Sequence, residues 1–231
     1  MAGNAMSGEE RSFRLDWARQ ARTGFPEAVF CAGKSIPHIA AILTEAAERN
    51  RPLLLTRLSP AQHDALPAEA RRALDYDAPS GTAIAGPAPD TAALRPGIGI
   101  VAAGTSDWAV AREAARSLAF CGYAAPIVAD VGVAGLWRLM ERMEEIAGFR
   151  VVIAVAGMEG ALFSVLAGLV TAPVIAVPTS VGYGVASGGI VALHAALGGC
   201  APGVVTVNID NGFGAAAAAV KMLRSGAEPA S

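Results

Sequence analysis

The stretch IGIVAAGTSDWAVAREAAR, residues 98–116, joins an apolar run to a helix-like pattern through a polar turn. Ile98 to Ala103 carries no charged side chain, which is typical of a strand buried on both faces of a sheet. The turn that follows contains Gly104, Thr105, Ser106 and Asp107, and the apolar residues after it recur at helical spacing. A strand that passes through such a turn into a helix predicts one unit of a parallel α/β sheet.

The same alternation continues to the end of the chain. Four further strands are predicted over residues 125–129, 150–156, 174–177 and 204–209. Helices are predicted over residues 108–121, 134–147, 160–170, 188–197 and 215–223. We therefore expect an α/β fold, a flavodoxin-like doubly wound parallel sheet with helices on both faces.

The residues before this sheet have a different texture. Residues 12–22, 36–49 and 61–74 show helical periodicity, and proline and glycine then cluster between residues 79 and 97. We expect a smaller, mainly helical N-terminal region over residues 1–95 and the α/β domain over residues 96–231.

Composition excludes several classes of function. The 231 residues are 53% hydrophobic, which is ample for a core. Only 16% are charged and the formal net charge is -2, so we expect no nucleic-acid partner. The first twenty residues lack the apolar run of a secretion signal, which predicts a cytoplasmic protein. No charged residue stands between Glu159 and Asp210, but prolines and glycines divide that segment into pieces too short to cross a membrane.

The turns after the five predicted strands are rich in groups that bind ligands. Parallel strands place their carboxyl ends along one edge of a sheet, where ligands bind in open α/β folds. The turns in question are GTSD (104–107), DVGVAG (130–135), AGMEG (156–160), PTSVGYG (178–184) and NIDNG (208–212). Each combines glycine with a hydroxyl, amide or carboxylate side chain, so we expect one site along this edge.

The GTSD turn predicts a cradle for a phosphate or a ribose. Thr105 and Ser106 would donate hydrogen bonds, and Asp107 would accept one or take part in proton transfer. The alternative is that Ser106 or Asp107 only caps the following helix.

Four carboxylates, with few cations to balance them, are expected near the same edge: Asp107, Asp130, Glu159 and Asp210. This pattern favours Mg²⁺ held by one or two carboxylates and by substrate phosphates, although no ligand set follows from it. The alternative is that Asp130 and Asp210 only stabilise turns.

Two features of the uncharged segment also bear on function. Cys200 lies in a small-residue turn, where spacing alone favours a packed cysteine over a nucleophile. The helix over residues 188–197 is apolar or small on every side, which predicts burial between the subunits of a symmetric homo-oligomer.

From about Arg14 to Leu223 the chain resembles the LarB family, the pyridinium-3,5-biscarboxylic acid mononucleotide synthases of nickel-pincer nucleotide cofactor synthesis. The resemblance is carried by GFPEAVFCAGKS (24–35), GTSD (104–107), DVGVAGLWRL (130–139), VAGMEGAL (155–162), PVIAVPTSVGYG (173–184) and VNIDNGFGAA (207–216). The chain departs from the family at Phe163, where proline is usual, and at Ala201 and Pro202 after the cysteine.

The C-terminal half is also similar to the purine-pathway aminoimidazole ribonucleotide carboxylases, through GTSD and the PVIAVP strand. Those enzymes carry a histidine before a Leu-Pro-Gly-Met turn, whereas residues 158–164 read MEGALFS here. The usual proton carrier of a purine carboxylase is therefore missing.

The LarB resemblance implies an unusual reaction. Nicotinic acid adenine dinucleotide would be carboxylated by CO₂ at C5 of its pyridinium ring, and its phosphoanhydride would be hydrolysed with release of AMP. Thiolate addition to the ring would make the electron-poor pyridinium nucleophilic, and Cys200 is the matching residue.

The resemblance also implies the remaining roles and an octamer by analogy. Ser106 and Asp107 are assigned to the mononucleotide and proton transfer, Glu159 or Asp130 to deprotonation or Mg²⁺, and Glu27 and Lys34 to the adenylate half. The other expected substrate contacts are Gly104, Thr105, Gly157, Ser180, Gly182, Tyr183, Gly184, Asn208 and Asp210.

Two rival functions remain open at this point. The first is a purine-pathway aminoimidazole ribonucleotide carboxylase or mutase. The second is a nucleotide-binding module without catalytic activity.

Overall fold

The computed structural model describes residues 13–87 and 90–225 of the chain. They form two compact units, which divide between Ala88 and Pro89. In the described part of the chain, no helix combines the length and the apolarity that a membrane span needs.

The N-terminal unit contains a four-stranded mixed sheet. Its strands are β1 (Ala28–Phe30), β2 (Leu53–Thr56), β3 (Leu74–Asp77) and β4 (Thr82–Ala85), in the spatial order β1-β2-β4-β3. β1 and β2 are parallel, and the other pairs are antiparallel. The helices of this unit are α1 (Arg19–Thr23), α2 (Ile36–Glu48), α3 (Pro60–Ala65) and α4 (Ala68–Arg72).

The prediction of a mainly helical N-terminal region did not include this sheet, and of its three helices the one over residues 36–49 is confirmed, as α2. The single helix predicted over residues 61–74 is wrong, because α3 ends before Leu66 and α4 begins after Pro67. Leu66 is extended, as proline disfavours helical backbone in the residue before it. The helix predicted over residues 12–22 begins outside the described residues, and its described part is helical only from Arg19.

The C-terminal unit has the predicted flavodoxin-like architecture. Five parallel strands lie in the order β6-β5-β7-β8-β9. They are β5 (Ile98–Ala102), β6 (Ile127–Val128), β7 (Val151–Ala156), β8 (Val174–Pro178) and β9 (Val204–Thr206). The helices are α5 (Trp108–Phe120), α6 (Leu136–Met140), α7 (Met143–Ala147), α8 (Ala161–Leu169), α9 (Ile190–Gly198) and α10 (Gly212–Ser225).

Close packing explains the sequence of the strands. All residues of β5, β7 and β8 are buried, so the apolar runs face helices on both sides of the sheet. Gly99 leaves room for the Phe149 ring beside β5, since an added Cβ would lie 2.0 Å from that ring. The helix predicted over residues 134–147 is instead a 3₁₀ turn at Val133–Gly135 followed by α6 and α7.

Candidate active site at the carboxyl edge

The carboxyl ends of β5 to β9 form one edge of the sheet, called the carboxyl edge below. Three of the residues that follow these strands have left-handed backbone: Asp130 (φ 58°), Met158 (φ 52°) and Asp210 (φ 55°). Such backbone is uncommon for residues other than glycine and clusters at functional sites, although aspartate tolerates it and the cost falls mainly on Met158. The strained residues therefore agree with a site at this edge.

The Asp107 carboxylate accepts hydrogen bonds from residues that follow three strands, β5, β7 and β8. Thr179 Oγ1, which follows β8, donates to Asp107 Oδ1 at 2.6 Å, and the N–H of Gly104 donates to Oδ2 at 3.0 Å. The N–H of Gly157, which follows β7, also donates to this carboxylate. Burial raises the pKa of Asp107, and the hydrogen bonds from Thr179, Gly104 and Gly157 oppose that rise.

The turn after β8 is tied to both of its neighbours. The N–H of Ser180 donates to Asp210 Oδ1 at 2.8 Å, and the N–H of Asp210 donates to the carbonyl of Pro178 at 2.8 Å. On the other side, the N–H of Met158 donates to the carbonyl of Val181 at 2.8 Å. The turns after β7, β8 and β9 are thus hydrogen-bonded to one another.

Two of the predicted glycines are required by close approach. An added Cβ at Gly157 would lie 2.1 Å from the carbonyl oxygen of Val181, and one at Gly182 would lie 2.4 Å from that of Ala186. Gly184 has left-handed backbone (φ 57°) and faces open space. Gly157 and Gly182 therefore shape the edge whether or not they touch a substrate.

Several predicted site residues are exposed around this frame. They are Thr105, Ser106, Asp130, Glu159, Ser180, Tyr183, Gly184 and Asn208. Their side chains and backbone can reach a ligand, whereas Asp107 is only 4% exposed. The predicted polar residues are thus exposed at the carboxyl edge, whereas the Asp107 carboxylate that holds the turns together is buried.

Asp130 has a partner that the sequence reasoning missed. Arg138 Nη1 on α6 donates to Asp130 Oδ2 at 2.6 Å, and both side chains are partly exposed. The Nε of Arg138 is buried without a hydrogen-bond partner among the described residues. The two residues are eight positions apart, and no regular element places side chains at that spacing in contact. Their contact depends on how the turn after β6 folds, which the sequence pattern does not predict.

Two buried polar residues were also missed. Thr179 is fully buried and holds Asp107, although its sequence signal, a hydroxyl in the PTS turn, is equally typical of a turn. Glu113 on α5 is 3% exposed and accepts the N–H of Gly212 at 2.9 Å, at the start of α10. A carboxylate at a helix amino end is stabilised by the helix dipole, so Glu113 fixes the turn after β9.

The three cysteines are in different environments. Burial raises the pKa of the Cys31 thiol and of the Cys121 thiol to about 12, so neither forms a thiolate readily. Cys200 is exposed. Its loop leaves α9 and enters β9 at the amino end, while the other candidate residues follow carboxyl ends. The prediction that Cys200 is a packed residue, made from spacing alone, is therefore wrong for the single chain.

Glu27 and Lys34 belong to the N-terminal unit. A carboxylate oxygen of Glu27 accepts the N–H of Asp16. The carbonyl of Lys34 accepts Nε2–H of Gln62 at 3.1 Å, which fixes the loop before α2. Their assignment to a nucleotide stays a prediction.

The carboxylates do not form a metal cage by themselves. Among residues 13–87 and 90–225, no three His, Cys, Asp or Glu side chains are arranged so that they could hold a metal ion. A site built from one or two carboxylates and substrate phosphates is a different arrangement, and Glu159 is exposed enough to take part in it.

The fold is that of a flavodoxin-like α/β protein, and in such folds the carboxyl ends of the strands are where small molecules bind. Residues 9–86 match the model of a LarB/PurE-like N-terminal domain, and residues 97–230 match that of AIR carboxylase. An uncharacterized protein of Methanocaldococcus jannaschii is 40% identical over 214 residues, covering 89% of this chain and 82% of the relative. The chain belongs to the LarB family, with an AIR carboxylase domain as its C-terminal half, and this family supports a carboxylase-type activity.

Proposed function

We propose that the protein carboxylates the pyridinium ring of nicotinic acid adenine dinucleotide at C5 and hydrolyses its phosphoanhydride, giving pyridinium-3,5-biscarboxylic acid mononucleotide and AMP. The observation that carries the proposal is an exposed thiol, Cys200, in a chain whose family resemblance calls for a sulfur nucleophile. The exposed hydroxyls and backbone at the carboxyl edge support a nucleotide as the substrate.

The thiol answers a specific chemical need. A pyridinium ring is too electron-poor to attack CO₂. When the Cys200 thiolate adds to the ring, a C–S bond forms and the ring becomes a dihydropyridine with a nucleophilic enamine carbon. That carbon, C5, then forms the new bond to CO₂. Loss of the C5 proton to a base and departure of the thiolate restore the aromatic ring, so no oxidant is consumed.

Of the three cysteines, Cys200 suits this role best. Only the thiolate is nucleophilic, and the buried Cys31 and Cys121, with pKa values raised to about 12, are almost entirely protonated at neutral pH. Cys200 is exposed and can meet a substrate without unfolding of the core.

Glu159 is our candidate for the base that takes the ring proton. It follows β7, is exposed, and stands next to Met158, whose left-handed backbone fixes the turn. Asp107 supports the mononucleotide turn from beneath, and because it is buried and already accepts three hydrogen bonds, the proton-transfer role predicted for it passes to Glu159 in this proposal. Thr105 and Ser106 are then free to donate to the ribose or phosphate.

Oligomerisation is part of the proposal. Cys200 enters β9 from its amino end, so a thiol from a second copy would be the simplest way to bring sulfur to a carboxyl edge. α9 supports such an assembly, because it carries no charge and leaves Ile190 50% exposed and Leu197 66% exposed. An interface between copies would cover these side chains.

Mg²⁺, if it is used, would be held mainly by the two substrate phosphates, with Glu159 or Asp130 as protein ligand. It would supply positive charge to the phosphoanhydride during hydrolysis. The protein residues themselves orient the nucleotide and hold or move the ring proton.

The purine pathway is the second candidate, favoured by the AIR carboxylase match. It lacks a proton carrier here, because residues 158–164 contain no histidine.

Product masses test these alternatives. The purified protein is incubated with nicotinic acid adenine dinucleotide, ¹³C-bicarbonate and Mg²⁺, and in parallel with aminoimidazole ribonucleotide. We expect AMP and a labelled biscarboxylated mononucleotide in the first reaction only. Carboxylation of the aminoimidazole alone would favour the purine function, and the absence of any product would favour a binding module.

A further inference from the structure

We propose that α6 binds the adenylate half of the dinucleotide, with Trp137 stacked on the adenine and Arg138 holding the adenylate phosphate. The inference rests on the proposed function, since it takes the dinucleotide as the substrate. It names residues that neither the sequence reasoning nor the family match assigned to the site.

The indole of Trp137 is the first observation. Its side chain is 63% exposed on α6, the first helix after the DVGVAG turn that follows β6. Leu136 and Met140 on the same helix are 45% and 50% exposed. An exposed tryptophan beside apolar neighbours is suited to stack on a planar base, because every base has a π face and an apolar surface to cover.

Arg138 provides the charge that a nucleotide needs. Its Nη1 donates to Asp130 Oδ2 at 2.6 Å, and an added Cβ on Gly135 would lie 2.8 Å from Nε and 2.9 Å from Nη2. The guanidinium therefore lies over the bare backbone of Gly135 and is held in one orientation. A guanidinium has five N–H donors, and a side chain that is 34% exposed keeps some of them available for a phosphate.

The position of α6 agrees with a substrate that carries two linked phosphates. β6 is the direct neighbour of β5 in the sheet, and adjacent strands lie about 4.8 Å apart. The turn that leads to α6 is therefore beside the GTSD turn, where Thr105 and Ser106 would hold the mononucleotide phosphate. Gly132 in that turn is close to the end of β5, since an added Cβ would lie 2.9 Å from the carbonyl oxygen of Ala103. The two phosphates of one phosphoanhydride fit neighbouring turns of this kind.

The competing location is the pair Glu27 and Lys34 in the N-terminal unit. Glu27 is a weak candidate, because its carboxylate already accepts a backbone N–H and its negative charge opposes a phosphate. Lys34 keeps its ammonium as a possible phosphate ligand, so the experiment compares it directly with α6.

Binding of AMP, measured by calorimetry, separates the two locations. The Trp137→Ala variant should bind AMP about tenfold more weakly, a change of ~1.4 kcal/mol that lies within the range for stacking of one base. Trp137→Phe keeps an aromatic face and should stay within about threefold of the wild type. Arg138→Gln should weaken AMP binding but leave adenosine binding unchanged. Nicotinic acid mononucleotide should bind all these variants as it binds the wild type.

The inference is overturned if Trp137→Ala binds AMP normally, or if only Lys34→Ala loses affinity. It is also overturned if Trp137→Ala changes the oligomeric state, because the exposed face of α6 would then be a subunit contact. Failure of the proposed function has a different result: the wild type would bind AMP through α6 but form no carboxylated product from the dinucleotide.

Discussion

Replacing Gly157 with alanine should damage the carboxyl edge although it adds only one methyl group. The new Cβ would lie 2.1 Å from the Val181 carbonyl oxygen, 2.7 Å from Thr179 Oγ1 and 2.9 Å from Val181 Cβ. The Val181 carbonyl also accepts the N–H of Met158, so the turn cannot move away without losing that hydrogen bond. Overpacking costs about 1–3 kcal/mol and a lost hydrogen bond ~1 kcal/mol, so we expect a loss of about 2–4 kcal/mol in the free energy of unfolding.

Thermal unfolding followed by circular dichroism checks this value. For a chain of this size the loss corresponds to a decrease in Tm of roughly 5–15 °C. Gly168→Ala is the matched control, because an added Cβ meets nothing within 4 Å there and Gly168 lies in α8. It should raise stability by about 0.5–1 kcal/mol through helix propensity. A Gly157→Ala protein that melts within about 1 °C of the wild type, beside a stabilised control, would refute the packing of the two turns.

Three further predictions follow from buried and exposed polar groups. Iodoacetamide should modify Cys200 in the native protein and leave the buried Cys31 and Cys121 unmodified by peptide mass; equal labelling of all three would contradict the assigned environments. Because burial raises the pKa of Asp107, the protonated form is favoured in the folded state, so the stability of the wild type relative to Asp107→Asn should be greatest below pH ~3.9 and decrease as pH rises through the raised pKa. Denaturant unfolding across that range measures it, and a difference that grows with pH would show the opposite shift. Ser117→Ala should raise the free energy of unfolding by roughly 0.5–1 kcal/mol, since the buried Oγ has no partner among the described residues and alanine favours the helix; a loss of stability would reveal a partner for that hydroxyl.

The sheet of the C-terminal unit was predictable because burial on both faces leaves a clear mark in the sequence. Strands such as β7, VVIAVA, have no polar residue and are rich in β-branched side chains, and glycine-containing turns separate them from helices. The ends of α8 and α9 were predicted to within about two residues, which is the ordinary uncertainty of helix ends.

The strands of the N-terminal sheet have no such pattern in their sequence. β2 reads LLLT, which favours a helix as much as a strand, and β1 has only three residues. Both become strands by pairing with segments far along the chain, since Leu53 of β2 is opposite Ala85 of β4. Tertiary pairing of this kind overrides local propensity.

For the candidate site, the sequence predicted which turns share an edge of the sheet, but it did not predict which side chains contact one another there. The prediction that polar turns share one edge followed from the handedness of parallel connections, and Gly104, Gly157 and Asp210 are brought together there. The contacts of Thr179 and Arg138 could not be foreseen, because they depend on how the turns after β8 and β6 fold. The environment of Cys200 was also hidden, because a small-residue turn reads the same whether it is packed or exposed.

The most direct measurement of the central claim is the rate of carboxylated product formed from nicotinic acid adenine dinucleotide and CO₂ by the wild type, Cys200→Ser and Cys121→Ser proteins. We predict that product formation is lost in Cys200→Ser, whose oxygen nucleophile is too weakly acidic to form the ring adduct, and is retained in Cys121→Ser, whose buried thiol takes no part. Product formed by folded Cys200→Ser at the rate of the wild type would contradict a sulfur adduct of the pyridinium ring.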